Sequence, residues 1–129
     1  MKALWPASLL AALLAAPAYA DCTPPNSDIN IPDGNTATKD EMIAAQHAVK
    51  TADTAMQQYS ECLKAEQDTK LAAGGDQMKD DEKLKIATEY ASRQNAEVEK
   101  LQKVADKFNV EVRAWKAKNV PPAAPPAHP

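Results

Sequence analysis

Residues 84–115 read LKIATEYASRQNAEVEKLQKVADKFNVEVRAW. Within them Leu84, Ala87, Ala91, Gln94, Val98, Leu101, Ala105, Phe108, Val112 and Trp115 recur at alternating intervals of three and four. That spacing is the seam of a coiled coil. All but Gln94 are apolar, so a long helix with one buried stripe is predicted. A matching stripe lies upstream in Met42, Ala45, Val49, Ala52, Met56, Tyr59 and Leu63, flanked by Ala48, Ala55 and Cys62. The opposite side of that segment carries Lys50, Thr54, Gln57, Glu61, Lys64 and Asp68, which suits water.

Local signals place the ends of the two helices. Thr38-Lys39-Asp40-Glu41 fits a capping box, in which Thr38 bonds the third helical amide and Glu41 reaches back. Ala72-Ala73-Gly74-Gly75-Asp76 ends the first helix, with a glycine to take the left-handed closing conformation and Asp76 to cap the next helix. Helix one is predicted over 38–73, a turn over 74–76 and helix two over 77–118. Asp76, Asp80, Asp81 and Glu82 sit at the favoured positive end of the second helix dipole, and Lys116 and Lys118 at its negative end. Asp81–Lys85, Glu89–Arg93 and Glu99–Lys103 are spaced as helical ion pairs.

A short connection makes consecutive amphipathic helices antiparallel neighbours. Folding at Gly74-Gly75 sets Leu63 against Ala87, Tyr59 against Tyr90 and Ala91, Ala52 against Val98, Val49 against Leu101, and Met42 against Phe108. Met56 faces the polar Gln94. The predicted fold is all-α, a long antiparallel two-helix hairpin of coiled-coil character. Helix two outruns its partner, which leaves Val112 and Trp115 beyond the start of helix one.

Both ends of the chain differ in character from this hairpin. Residues 1–20 combine Lys2, a short apolar run through Leu9, Leu10, Leu13 and Leu14, and the ending Ala18-Tyr19-Ala20, the pattern of a secretory signal peptide cleaved after Ala20. Its apolar run is shorter than the roughly 20 residues of a permanent membrane anchor. Asp21 stands before Cys22 where lipid attachment requires a small residue, so export as a soluble protein to a periplasm is expected. Two cysteines, Cys22 and Cys62, in an exported chain imply one disulfide.

Residues 21–37 read as an extended arm, since Pro24, Pro25 and Pro32 exclude helix and Pro32-Asp33-Gly34-Asn35 is a turn signature. Cys62 lies roughly 36 Å along helix one from its start at 1.5 Å per residue. The arm spans about 50 Å at 3.1 Å per residue, so it reaches back along helix one to be tethered at Cys62. Closing a loop of that length typically contributes about 2–4 kcal/mol. Residues 119–129 form a Pro/Ala tail predicted to be disordered polyproline.

The signal peptide taken with Cys22-Thr23-Pro24-Pro25, Ile31-Pro32-Asp33-Gly34, Met42, Ala45-Gln46, Val49-Lys50, Tyr59, Cys62-Leu63 and Phe108-Asn109 resembles a group of small uncharacterised exported proteins of Gram-negative bacteria. The resemblance implies a disulfide-tethered helical protein and assigns no catalytic residue.

Composition restricts function. The 15 basic residues include Lys2, and 18 residues are acidic, so the processed chain is mildly acidic with interspersed signs. That balance argues against nucleic acid and anionic membranes as partners. His47 falls on the solvent side of helix one without a partnered group, His128 lies in the tail, and neither makes a preorganised base. Met42 and Met56 belong to the apolar stripe and, with Met78, are read as packing rather than copper ligands. Two cysteines without neighbouring histidines make no zinc site, and Gly74-Gly75 lacks the Lys-Ser/Thr of a phosphate loop. No enzyme, cofactor or metal is expected.

Two functions fit what remains. In the first, the hairpin is an exported structural or interaction protein that engages a protein partner, or a second copy of itself, through Val112 and Trp115. In the second, a groove beside Gln94, Tyr59 and Tyr90 makes it a periplasmic ligand-binding or chaperone-like module. Cover of Trp115 by Ile29 or Ile31 of the arm would leave neither surface open.

Overall fold

A computed structural model describes residues 21–121. The predicted leader, its cleavage point and the tail from residue 122 onward lie outside the described residues. Two helices, α1 (Lys39–Gly74) and α2 (Asp80–Asn119), pack antiparallel, and an extended arm precedes them. Among the described residues there is no strand and no helix long and apolar enough to cross a membrane.

Local chemistry sets the helix starts. Thr38 and Glu41 form the predicted capping box: Glu41 N donates to Thr38 Oγ1 at 3.3 Å and Thr38 N donates to Glu41 Oε2 at 2.7 Å. The connection is longer than the predicted turn. Gly75–Gln77 make a short 3-10 turn, and α2 begins at Asp80. Asp76 therefore does not cap α2. Glu82 accepts from the Lys79 amide at 3.2 Å, so the carboxylate half of a capping box marks the start. Gly75 has φ +56° but ψ −157°, so it does not take the left-handed helical conformation expected to close the helix, and it occupies instead a region that disfavours any Cβ.

Leu63, Ala87, Tyr90 and Ala91 line one groove, Val49, Ala52 and Leu101 border one small void, and Met42 shares a groove with Phe108, whereas Val98, expected against Ala52, is exposed. The inter-helix register thus follows from folding at the glycines. The rotation of α2 about its axis does not follow. Over its first half the residues facing inward are Ile86, Tyr90, Arg93 and Glu97, while Leu84 is 67% exposed and Val98 42%. Ala91 and Gln94 are also exposed, so Met56 does not meet Gln94 in the core.

The inward set recurs as Ile86, Glu97 and Phe108, eleven residues apart, which is the period of an almost straight helix. A strict seven-residue seam drifts about 20° per heptad from such a helix. The predicted seam therefore coincides with the real one near Leu101–Trp115 and has turned toward water by Leu84.

Rotating α2 in this way serves the arm, which forms a third layer across one side of the hairpin. Cys22 and Cys62 are bonded with Cα atoms 5.7 Å apart. Cys22 belongs to a buried cluster with Met56, Tyr59, Leu63 and Tyr90, against which Cys62, Ile86 and Leu101 pack. Pro25 and Ile31 are buried, and Ile29 borders a small void with Val49, Ala52, Leu101 and Val104. A layer of extended chain thus fills core volume that two alanine-rich helices leave open.

Candidate interaction surface

The arm re-enters the hairpin through a turn at Asp33–Ala37. Asp33 O accepts from the Thr36 and Ala37 amides at 3.1 and 2.8 Å, and Asp33 Oδ1 accepts from the Asn35 amide at 2.8 Å. The backbone and side-chain amides of Asn35, both donating to Asp33 Oδ1, hold the Asp33 carboxyl below its ordinary value, the backbone amide contributing most. The turn docks on the last turns of α2. Gly34 N donates to Glu111 Oε2 at 2.8 Å, Trp115 Nε1 donates to Ala37 O at 3.1 Å, and Lys118 Nζ donates to Asn35 O. Gly34 is buried there: a Cβ on it would lie 2.0 Å from Glu111 O and 2.9 Å from Trp115 N. Only a glycine allows backbone to meet backbone at this point.

Val112 and Trp115 are consequently not stranded beyond the partner helix. Both are half-buried. Trp115 has its indole N–H satisfied by the turn, through Ala37 rather than through Ile29 or Ile31. Away from the arm they floor an open groove with Met42, Ile43 and Phe108, and Lys39 and Lys116 stand at its rim. Ile43 is 40% exposed within it. The groove has an apolar floor and a cationic edge.

Further along the same side lies a wider groove lined by Ser60, Lys64, Gln67, Ala87, Ala91 and Gln94, with Leu63 and Tyr90 at its base. Polar side chains share its walls with the alanines, to a greater extent than in the groove at Trp115. Tyr59, expected beside Gln94, is 5% exposed and belongs to the cluster around Cys22.

One polar network was not legible in the helical spacing. Glu66 accepts from Tyr90 OH at 2.8 Å and pairs with Arg93 at 3.6 Å, and its other oxygen lies 3.3 Å from Cys22 Sγ. That last approach is a contact only, since a disulfide sulfur has no proton to donate. Lys70 and Arg93 lie 5.0 and 5.3 Å from the Tyr90 ring centroid. Burial pushes the Tyr90 hydroxyl above its ordinary value, with Lys70 opposing and Glu66 reinforcing.

Arg93 and Glu89 thus do not pair with each other. Both reach across to α1, Glu89 to Lys70 at 3.8 Å. The expected Asp81–Lys85 and Glu99–Lys103 pairs are present at 3.9 and 2.8 Å. Buried Glu97 is paired with Lys100 at 2.7 Å. The network joins α1, α2 and the disulfide, and its groups satisfy one another, so it reads as packing rather than as a reactive site. His47 is exposed on α1.

No protein-family model, curated protein or solved structure matches this chain.

Proposed function

We propose that this chain is an exported interaction protein whose groove beside Val112 and Trp115 receives an apolar segment of a protein partner. One observation carries the reading. The arm covers one side of the hairpin, while the other keeps an open apolar floor of Met42, Ile43, Phe108, Val112 and Trp115. Export to an oxidising compartment rests on the leader-like first twenty residues and agrees with a disulfide-tethered arm. Catalysis is no part of the proposal.

The alternative, a ligand-binding or chaperone-like role, draws on the wider groove of Gln94 and Tyr90. It is disfavoured because Ser60, Lys64, Gln67 and Gln94 give that groove a larger polar share than the groove at Trp115, whereas chaperones of unfolded segments need apolar surface.

The test is photo-crosslinking in cells from Ile43 and Val112, with exposed Leu84 as the control position. A discrete adduct from positions 43 and 112 that is absent from position 84 is expected, with mass spectrometry separating a different protein from a second copy. Equal labelling from all three positions, or none, overturns the proposal.

A further inference from the structure

The arm is held in two unlike ways along its length. Gly34–Ala37 are fixed to α2 by hydrogen bonds to Glu111, Trp115 and Lys118. Among the described residues, 21–32 form no hydrogen bond with either helix; the Asp28 amide bonds only to Asn26. Their ties are the Cys22–Cys62 bond and the burial of Cys22, Pro25 and Ile31, with Ile29 half-buried. Keeping about ten residues in one conformation costs conformational entropy at each of them. Three or four apolar anchors offset only part of that, and the covalent tie does the rest by removing the arm's alternative positions.

We propose that the Cys22–Cys62 bond is the latch of a releasable strap, whose reduction lifts residues 21–30 off the hairpin while Gly34–Ala37 stay in place. The reductant is a dithiol. One thiolate attacks the disulfide and expels the other cysteine sulfur. The second thiol of the dithiol then resolves the mixed disulfide. Cys22 and Cys62 end as thiols and the dithiol as a disulfide, a two-electron exchange. Release bares an apolar face comprising Tyr59, Leu101 and Val104. This face lies on the arm-covered side, distinct from the open groove at Trp115, so the proposal does not depend on that groove having a partner.

The measurement is hydroxyl-radical footprinting of the full chain. The oxidised protein is compared with a Cys22→Ser/Cys62→Ser double variant, and circular dichroism follows both that variant and dithiothreitol-treated wild type. Tyr59 is 5% exposed. Its labelling should rise about tenfold if the strap lifts and leaves it half-exposed, and Leu101 should follow. Trp115 labelling and helical ellipticity should not change. Unaltered Tyr59 and Leu101 would show that the apolar anchors hold the arm unaided. A parallel rise at Trp115, or lost ellipticity in the reduced wild type, would show that the bond holds the fold rather than a strap. Any of these results overturns the proposal.

Discussion

Gly34→Ala tests the docking of the arm on α2 at its tightest point. The new methyl would sit 2.0 Å from Glu111 O and 2.9 Å from Trp115 N, both backbone atoms that no side-chain rotation can move. Two responses are open to the chain. Forcing the methyl in is overpacking, which costs about 1–3 kcal/mol. Lifting the turn instead forfeits the Gly34 N–Glu111 bond, about 1.5 kcal/mol at the lower end for a charged acceptor that regains water, and the Trp115–Ala37 bond, about 0.5–1.5 kcal/mol.

Either route predicts a loss near 2 kcal/mol. That corresponds to a melting point lower by about 8–16 °C at 4–8 °C per kcal/mol. Urea unfolding followed by circular dichroism gives the stability, and the Trp115 Nε1–H resonance reports whether the turn has lifted. Gly75→Ala is the comparison, since nothing lies within 4 Å of a Cβ there and only its φ of +56° opposes the change. It should cost about 1–3 kcal/mol and leave the Trp115 resonance in place. A Gly34→Ala protein within about 0.5 kcal/mol of wild type, with an unshifted Trp115 resonance, would refute the backbone-on-backbone contact.

Three further outcomes are expected. Tyr90→Phe should flatten the alkaline limb of the stability–pH curve. The folded state holds the Tyr90 proton more tightly than the unfolded state, so this stabilisation is complete below pH 10 and is lost as the pH rises past that value; identical limbs from urea melts between neutral and alkaline pH would contradict it. Leu84→Gln and Ala91→Gln should change stability by no more than about 0.5 kcal/mol, while Leu63→Ala, 2% exposed in the wild type, should cost about 2–5 kcal/mol. Comparable losses at all three would restore the strict heptad seam. Thr38→Ala removes the acceptor of the Glu41 amide and should cost about 1 kcal/mol in thermal unfolding, and no change would mean that Glu41 alone secures the start of α1.

Much of the architecture is written in local spacing. The two apolar stripes, the Thr38–Glu41 box and the paired glycines specify two helices, their direction and which residues stand level with one another, because each depends on neighbours a few positions away. The two cysteines and the prolines between them likewise identify an extended tethered arm. How α2 is turned about its axis is not local. Leu84 and Val98 fit a heptad as well as Tyr90 and Glu97 fit an eleven-residue repeat, and the choice is made by a third layer that α2 must also cover. The same layer supplies Trp115 with a carbonyl from Ala37 and makes Gly34 indispensable, although the two are 81 positions apart. Packing of α2 on α1 likewise sets Glu89 against Lys70 and Arg93 against Glu66 rather than against each other. Periodicity along one helix counts apolar residues, whereas the depth at which each is buried is set by every element that shares the groove, and only the assembled chain brings those elements together.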